Sequence, residues 1–479
     1  MNRYKKIICL LSLVLADAAA LLVSFLTAYF LRSRLLLPFI PSFREIKPLP
    51  LLVQLSNGFL YGSLIIVIVF LYEKLYTKRL SFWEETKGLV KGITVSYILI
   101  IILVFVSRQY LVYSRAVIVL AWLVAVFIFP LFRAGVKKIL AGLNIWKKKV
   151  LILGTNDTAR MVAEGIKTNI QMGYVVSGFL QEKPDESEET FTGKPVLGGL
   201  DDVESISRRL EIKDVFLVLP DLLQTRLTEV LERCEKFAET IRIVPNVGSL
   251  FTIGVEVENI GDVLSLSVAR NLVKPWNKIL KGVFEYFLVT VMSVLLLPLF
   301  LIIALAVVLD SKGPVIYVQR RLGKGRSVFR FYKFRSMYID SEKRLEKYLS
   351  SHPEARREWD EFQKLKNYDP RVTRVGKIIR KFSLDELPQI INIFKSDMSL
   401  VGPRPYMPRE IEKIGKSYNI ISRVKPGLTG LWQVRGRNLL PFRDRLLLDE
   451  YYVRNWSLWL DIVILMQTMR VWAKGEGAF

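Results

Sequence analysis

The sequence predicts an integral membrane protein in three parts: an α-helical four-span bundle, an α/β Rossmann-like cytoplasmic insert, and a mostly helical C-terminal domain with a re-entrant membrane helix. Three observations support this fold class. Hydrophobic residues make up 51% of the chain, and the mean hydropathy is +0.29. Long apolar runs fill the N-terminal part, and strand-like and helix-like runs then alternate, as in parallel sheets. The predicted domains are residues 1–145, 146–265 and 266–479.

The chain is strongly basic. It has 69 Lys and Arg residues against 45 Asp and Glu residues, and its formal net charge is +24. This excess favours anionic partners, such as phospholipid headgroups, a phosphorylated lipid, a nucleotide or nucleic acid. Membrane spans and the lack of a recognisable nucleic-acid-binding motif argue against nucleic acid.

Few residues are suited to sulfur or imidazole chemistry. The two cysteines, Cys9 and Cys234, are far apart, and His352 is the only histidine. The sequence therefore gives no support to a disulfide framework, a cysteine-type zinc site or a Ser-His-Asp triad. Any catalysis has to use carboxylates, Lys, Arg, hydroxyl groups or a bound metal ion.

Four apolar runs predict the membrane spans, at about residues 7–31, 59–72, 93–106 and 116–132. The first run is too long for a signal peptide and further spans follow it. Lys and Arg cluster before the first span, after the second and after the fourth, which places these ends in the cytoplasm. Asp17 lies inside the first span, where we expect it to pack against neighbouring helices. We interpret this region as an anchor without chemistry.

The pattern of apolar residues changes near residue 149. A buried-strand run ends at Gly154 and an Ala-rich helix follows, with further strand-like runs at residues 175–180, 214–219 and 241–244. This alternation predicts a doubly wound parallel sheet. Only the first glycine of the Gly-x-Gly-x-x-Gly fingerprint is present, so nucleotide binding stays open but a regulatory or assembly role is favoured.

A fifth apolar stretch covers residues 283–309, with Pro298 near its middle. A full crossing would place everything after it outside the cell. We therefore predict that Pro298 breaks the helix and that the chain enters one leaflet only, as a re-entrant helix at about residues 281–310. The alternative is an ordinary kinked span.

Two adjacent carboxylates, Asp385 and Glu386, lie in a segment rich in Lys and Arg. Acidic groups in a basic field favour a metal-assisted phosphate reaction. The same residues also fit a helix capping box, with Ser383 as the cap and Glu386 reaching back to it. The surrounding basic residues are Arg371, Arg374, Lys377, Arg380, Lys381, Lys395, Arg404 and Arg409.

Five motifs carry a family resemblance: KFRSM at residues 333–337, SLDELPQ at 383–389, DMSLVGPRP at 397–405, PGLTGLWQ at 426–433 and GRN at 436–438. With these motifs the chain resembles bacterial sugar transferases of the polyisoprenyl-phosphate hexose-1-phosphate transferase family, in its long form. The resemblance extends over the whole chain and is strongest from about Lys281 onward. One departure is Glu285, where the family often has Asp.

The resemblance implies a reaction between a UDP-sugar and undecaprenyl phosphate that gives undecaprenyl-diphosphate-hexose and UMP. UDP-galactose is the expected donor and UDP-glucose the alternative. Such a reaction initiates synthesis of O-antigen, capsule or exopolysaccharide. It also implies a homodimer in the bacterial inner membrane with the catalytic domain on the cytoplasmic face, where the interfacial Trp456 and Trp459 would hold it.

The resemblance also assigns roles to residues. Asp385 is the nucleophile that forms a covalent phospho-sugar, and Glu386 holds Mg²⁺, with Asp461 as a further candidate metal ligand. Two rivals stay open: direct attack by the lipid phosphate without a covalent step, and a non-catalytic membrane scaffold with a ligand-sensing α/β domain. The implied substrate- and phosphate-binding residues are Lys333, Arg335, Arg380, Arg404 and Arg437.

Overall fold

The computed structural model of the chain describes residues 3–36, 58–107, 114–182, 190–218, 224–244, 255–260, 263–268, 274–362, 365, 368–435 and 440–474. These residues form two compact units, a first unit of residues 1–247 and a second unit of residues 248–479. The predicted boundary between residues 265 and 266 therefore lies inside the second unit.

Four helices open the first unit: α1 (Arg3–Phe30), α2 (Gly58–Tyr72), α3 (Phe82–Val106) and α4 (Arg115–Gly142). The first, third and fourth are long and apolar enough to cross a membrane, whereas α2 is a shorter apolar helix of 15 residues in the described part of the chain. Buried small residues such as Ala20 and Ala125 let the helices approach closely.

Four buried charges lie among these helices, and we call Asp17, Glu85, Arg133 and Lys137 the bundle cluster. Arg133 binds Asp17 in a bidentate manner, with Nε–Oδ1 and Nη2–Oδ2 distances of 2.9 and 2.7 Å. Its Nη1 lies 3.3 Å from Glu85 Oε1, and Lys137 Nζ lies 2.6 Å from Glu85 Oε2. The Tyr76 hydroxyl donates a further hydrogen bond to Asp17. Asp17 therefore packs against its neighbours, as expected.

A six-stranded sheet forms the rest of the first unit, in the order β3-β4-β2-β1-β5-β6, parallel except for the β3–β4 pair. This arrangement is the predicted doubly wound fold. Gly154 follows β1 with φ = 122°, where a side chain would collide with the carbonyl of Val218. The elements are β1 (Lys148–Leu153), α5 (Asp157–Thr168), β2 (Tyr174–Gln181), β3 (Thr190–Phe191), β4 (Lys194–Gly199), α6 (Val203–Leu210), β5 (Asp214–Leu217), α7 (Gln224–Glu235) and β6 (Thr240–Ile243).

The second unit begins with an antiparallel hairpin, β7 (Val255–Ile260) and β8 (Val263–Val268), and the long helix α8 (Pro275–Asp310). The prediction that Pro298 breaks this helix is wrong, because α8 is one continuous helix of 36 residues with Pro298 inside it. A proline removes one backbone hydrogen bond and kinks a helix, but membrane helices tolerate this loss. In length and composition α8 could cross a membrane.

Two small sheets and a set of short helices complete the second unit. The strands are β9 (Ile316–Leu322), β10 (Val328–Phe334), β11 (Ser399–Val401) and β12 (Gly427–Thr429). The helices are α9 (Ser341–Ser351), α10 (Pro353–Phe362), α11 (Arg374–Lys381), α12 (Ile390–Phe394), α13 (Ile411–Ile414), α14 (Tyr418–Ile421), α15 (Leu431–Arg435), α16 (Phe442–Arg454) and α17 (Leu458–Lys474), with a 3₁₀ helix at Leu384–Gln389.

Both ends of α8 contribute to the core of the second unit. Val289 belongs to the same buried cluster as Phe329 and Phe331 of β10. Toward the other end, Ile303 and Val307 share a cluster with Phe334. The membrane helix is therefore an integral part of this core.

Candidate active site

The acidic pair, Asp385 and Glu386, lies on the 3₁₀ helix and faces Lys333 on β10. The ammonium nitrogen of Lys333 is 2.6 Å from Glu386 Oε1 and 3.4 Å from Asp385 Oδ2. Residues 329, 331 and 333 share one face of β10, and Lys333 Nζ lies 5.6 Å from the centre of the Phe331 ring. The strand thus delivers one cation to two carboxylates, in agreement with the predicted grouping.

Ser383 adopts a left-handed conformation, with φ = 54°, and its side chain makes no cap hydrogen bond. The capping-box interpretation is therefore wrong. The Ser383 amide instead donates to the Arg380 carbonyl at 3.1 Å, so this residue ends α11. A non-glycine residue with positive φ is a strained feature that is common at functional sites. The sharp turn starts the 3₁₀ helix that carries the acidic pair.

The two carboxylates have opposite pKa shifts. Burial raises the pKa of Asp385 above its ordinary value, and Lys333 acts against this effect. Partial burial also acts to raise the pKa of Glu386, but the Lys333 ammonium and then Arg404 outweigh it, and the pKa is lower than usual. Glu386 is therefore ionised at neutral pH, while burial acts against ionisation of Asp385. Adjacent carboxylates with separated pKa values can divide the roles of nucleophile and metal ligand.

Asn392 fixes the distance between β10 and the acidic pair. Its side-chain amide donates to the Arg330 carbonyl at 2.6 Å and accepts from the Tyr332 amide at 3.2 Å. The side chain is fully buried and belongs to α12, which directly follows the 3₁₀ helix. The Asn392 side chain thus bonds to the backbone of Arg330 and Tyr332, just before Lys333, as a neighbouring strand would.

Arg404 and Arg380 supply the remaining positive charge. Arg404 lowers the pKa of Glu386 and Arg380 lowers that of Asp385, so both lie within electrostatic range of the pair. The Arg404 side chain is half-buried beside the ring of Trp432, at 5.6 Å, whereas Arg380 is exposed. These two predicted phosphate-binding residues therefore surround the acidic pair.

The segment before Arg404 is held by a close backbone approach. Strand β11 pairs in parallel with β12, and Gly402 donates its amide hydrogen to Thr429 at 2.9 Å. A side chain at Gly427 would collide with the backbone of Gly402. The GPRP and PGLTG motifs are thus adjacent in space, and their glycines permit the contact that positions Arg404.

Asp449 lies fully buried behind this segment. It accepts a hydrogen bond from the Tyr406 hydroxyl at 2.8 Å. Burial raises the pKa of Asp449 to about 8, despite the opposing effects of Tyr406 and Arg404. The carboxyl group therefore stays largely protonated near neutral pH and supports the backbone that carries Arg404.

Arg335, another predicted phosphate-binding residue, does not contact the acidic pair. Strand β10 ends one residue earlier, and the Arg335 guanidinium turns to the C-terminus of α8. Its Nη2 donates to the carbonyls of Val307 and Ser311 at 3.2 and 2.5 Å. The side chain is buried there and contacts the end of α8 rather than the acidic pair, and phosphate binding by Arg335 stays a prediction. A cation at the negative end of a helix dipole is a structural contact.

Asp461 also belongs to a different network. Its carboxylate accepts from Lys281 Nζ and the Tyr452 hydroxyl, each at 2.7 Å, and from Trp456 Nε1 at 2.9 Å. Lys281 also binds Glu285 at 2.7 Å, which joins α8 to β11. This geometry gives no support to the predicted metal role of Asp461. Trp456 is buried, so its predicted interfacial position is wrong.

A magnesium ion at the acidic pair would need further ligands from the substrate and from water. No cluster of three or more His, Cys, Asp or Glu side chains suited to a metal occurs in the part of the chain that the structure describes. Magnesium often takes one or two protein carboxylates and completes its coordination with substrate phosphates and water. Asp385 and Glu386 supply that donor set.

Sequence reasoning missed Asn392, Lys281 and Arg321. Asn392 and Lys281 act through contacts with residues distant in sequence, which no local pattern reveals. Arg321 is a buried arginine in β9 whose electrostatic neighbours include Glu386 and Arg404. No local pattern indicates its burial, because Arg320 before it is exposed whereas Leu322 after it is buried as well. The remaining predicted residue, Arg437, lies outside the described residues.

Comparison with known families gives two matches along the chain. The model for the bacterial sugar transferase family matches residues 276–475, and that for the CoA-binding domain matches residues 73–245. The first match contains α8 and the acidic pair. The second contains α3, α4 and the parallel sheet.

Similar proteins extend over most of the chain. The chain is 35% identical to an undecaprenyl-phosphate galactose phosphotransferase of Salmonella typhimurium, over 84% of this chain and 84% of that protein. It is 31% identical to an undecaprenyl-phosphate glucose phosphotransferase of Komagataeibacter xylinus, over 67% of this chain and 58% of that protein. The exopolysaccharide production protein ExoY of Rhizobium meliloti is 41% identical over 43% of this chain and 91% of its own length.

Proposed function

The chain belongs to the bacterial sugar transferase family, and from this premise we propose that it transfers hexose 1-phosphate from a UDP-sugar to undecaprenyl phosphate. The products are undecaprenyl-diphosphate-hexose and UMP, and the reaction initiates the assembly of a bacterial surface polysaccharide. The single observation that carries this proposal is the contact of Lys333 with both Asp385 and Glu386. We place the protein in the inner membrane as a homodimer, with the second unit on the cytoplasmic face.

The proposed mechanism has two displacements at one phosphorus atom. A carboxylate oxygen of Asp385 attacks the β-phosphorus of the UDP-sugar, the bond to the bridging oxygen breaks, and UMP leaves. An oxygen of undecaprenyl phosphate then attacks the phosphorus of the aspartyl phospho-sugar and releases Asp385. Dividing one transfer into two steps is the general advantage of covalent catalysis. The opposite directions of the two pKa shifts, upward for Asp385 and downward for Glu386, favour Asp385 as the nucleophile.

The basic groups reduce the repulsion between the attacking carboxylate and the diphosphate. Lys333 lies against both carboxylates, and Arg404 and Arg380 are within electrostatic range. Arginine is suited to bidentate phosphate contact. Glu386 is the residue of the pair that would hold Mg²⁺, which when bound would supply charge neutralisation at the diphosphate.

We further propose that α8 enters and leaves the membrane on one side. Lys281 near its start donates to the Val401 carbonyl at 3.0 Å, and Asp310 at its end accepts from the Val375 amide at 3.0 Å. Val401 and Val375 belong to the same compact unit. A folded unit that binds both ends of a helix favours a helix that bends within one leaflet, and Pro298 would provide the bend.

A UMP-release assay with Asp385→Asn tests the function. The substitution removes the nucleophile and keeps the side-chain shape, so we expect no detectable UMP from a UDP-sugar and undecaprenyl phosphate. Asp444→Asn, an exposed change on α16, is the matched control and should retain full activity. Full activity of Asp385→Asn would contradict the covalent mechanism, and inactive wild-type protein with every UDP-sugar would contradict the function itself.

Mass spectrometry distinguishes covalent from direct transfer. Incubation with a UDP-sugar in the absence of undecaprenyl phosphate should add a hexose phosphate group to the peptide that contains Asp385. An unmodified peptide together with ternary-complex kinetics would support direct attack instead.

The sugar and the role of the sheet are separate questions. Relatives named for galactose and for glucose both match this chain, and we propose UDP-galactose as the donor because the galactose relative matches over the larger share of both chains. A panel of UDP-sugars in the same assay decides this point. For the parallel sheet we propose a regulatory or assembly role.

A further inference from the structure

Arg321 is a buried cation that forms no salt bridge with a carboxylate in the described part of the chain. Its side chain is 6% exposed. Nη1 donates to the Pro405 carbonyl at 3.1 Å and Nη2 to Gln319 Oε1 at 2.9 Å. The buried Nε has no hydrogen-bond partner among the described residues. Two neutral acceptors therefore face a full positive charge.

Burial of a charge is costly unless an opposite charge or several strong hydrogen bonds compensate for it. Two other buried arginines have a negative charge or the negative end of a helix beside them, although Nε and Nη1 of Arg335 also lack hydrogen-bond partners among the described residues. Arg133 has a bidentate carboxylate partner, and Arg335 lies at the negative end of α8. Arg321 has neither, since it lies within strand β9. A bound anion would therefore compensate for the buried charge of Arg321.

The position of Arg321 indicates which anion this is. The amide of the next residue, Leu322, donates to the Tyr406 carbonyl at 2.8 Å, so β9 is held against the segment that follows Arg404. Burial and then the charge of Arg404 lower the pKa of Arg321 to about 10, while Glu410 and then Glu386 act in the opposite direction. Two arginines that repel each other beside the acidic pair become favourable neighbours once an anion binds between them.

We propose that Arg321 and Arg404 together bind a phosphate group of a substrate, with Arg321 contributing its unpaired Nε. The inference rests on the proposed function, because it places the phosphate beside the acidic pair. The phosphate belongs either to the diphosphate of the UDP-sugar or to undecaprenyl phosphate. Both have the same chemistry and are distinguished below by separate measurements. The contact of Arg321 with the Pro405 carbonyl also orients the neighbouring Arg404.

The test compares Arg321→Lys and Arg321→Gln with Arg320→Lys in the full-length protein. Arg320 precedes Arg321 on the same strand but is exposed, so it is a matched control. For each variant, calorimetry gives the affinity for UDP and for pyrophosphate, and kinetics give separate KM values for the UDP-sugar and for undecaprenyl phosphate. The rise in melting temperature on adding UDP is a third measurement, which remains valid if a variant is less stable.

A phosphate contact predicts a loss of about 10- to 100-fold in the affinity of both Arg321 variants, and no change in Arg320→Lys. Weaker UDP binding with a raised KM for the UDP-sugar alone assigns the contact to the nucleotide. An increase only in the KM for undecaprenyl phosphate assigns it to the lipid. Unchanged UDP and pyrophosphate affinities and unchanged KM values, even with a lower melting temperature, would show that Arg321 is only structural and overturn the proposal.

The binding measurements also separate this inference from the proposed function. If wild-type protein releases no UMP, the function fails. Pyrophosphate binding by wild-type protein that is lost in Arg321→Lys would still support a phosphate site at Arg321. Equal pyrophosphate binding by the two proteins would overturn it.

Discussion

The bundle cluster and the candidate active site handle buried charge in opposite ways. In the bundle cluster, two acidic and two basic side chains form ion pairs at 2.6 to 3.3 Å. In the candidate active site, Lys333 forms ion pairs with two carboxylates, while Arg321 has no carboxylate partner in the described structure. The first set is electrostatically complete and the second is not.

This difference separates a structural role from a chemical one. A complete set of buried ion pairs gains nothing from a ligand, and it holds helices in register. In an incomplete set, some charges lack a partner. A charged substrate can compensate for these charges when it binds, and the site is then electrostatically complementary to its ligand. Both regions contain Asp, Glu, Lys and Arg, so composition alone does not distinguish them.

Removing the cation of the bundle cluster should produce the largest loss of stability. Arg133→Met leaves Asp17 buried without its bidentate partner, and we expect a decrease of about 3–5 kcal/mol in the free energy of unfolding. UMP release per folded molecule should stay near the wild-type value, since we interpret the bundle as an anchor without chemistry. Arg115→Met, an exposed change on the same helix, is the control. Unfolding measured in detergent or nanodiscs checks the prediction, and equal effects of the two substitutions would contradict it.

The equivalent change in the active site should affect activity rather than stability. Lys333→Met is expected to decrease the rate of UMP release by about 10²-fold. The side chains of Lys333 and Glu386 are 24% and 34% exposed, so the free energy of unfolding should change by no more than about 1 kcal/mol.

The pH dependence of Lys333→Met provides a second measurement. Lys333 lowers the pKa of Asp385, so its loss should raise that pKa further. In the proposed mechanism the ionised carboxylate is the nucleophile, so the acidic limb of the pH–rate profile should move to higher pH. Lys377→Met on α11 is the exposed control. A limb that moves to lower pH, or does not move, would refute this role of Lys333.

The last effect is on the pH dependence of stability and concerns Asp449, which has no ion pair in the described structure. Its pKa of about 8 lies above the unfolded value of 3.8, so the folded protein binds this proton more tightly. The resulting stability is fully present below about pH 4 and is lost as the pH rises through about 8. Asp449→Asn should remove most of this pH dependence of the melting temperature, whereas Asp444→Asn should not. Thermal unfolding across this pH range checks the difference.

The sequence allowed prediction of the acidic pair, its basic surroundings and the doubly wound sheet. These features depend on local patterns: adjacent residues, period-two strands and long apolar runs. Lys333, Arg380 and Arg404 also came from motifs, and the structure brings them around the pair. Asp17 was expected to pack against other helices, but its partner Arg133 is 116 residues away, a pairing that only tertiary structure reveals.

Three departures from the predictions share a physical cause, because each depends on where an element ends. Ser383 does not cap a helix through its side chain, since it lies two residues after the end of α11, where the backbone turns left-handed. Arg335 follows Lys333 by two residues and should share its side of the strand, but β10 ends at Phe334. Pro298 does not divide α8 into two elements. Tertiary packing determines such boundaries.

The packing of α8 has a practical consequence for enzyme engineering. Val289, Ile303 and Val307 are buried in the core of the second unit. A truncated enzyme that begins after Asp310, designed to be water-soluble, would expose Phe329 and Phe331 and lose the Lys281–Asp461 ion pair. A fragment that begins at Lys274 retains both but still requires detergent or lipid. Solubility and an intact catalytic core are therefore incompatible in this unit unless the outer face of α8 is redesigned.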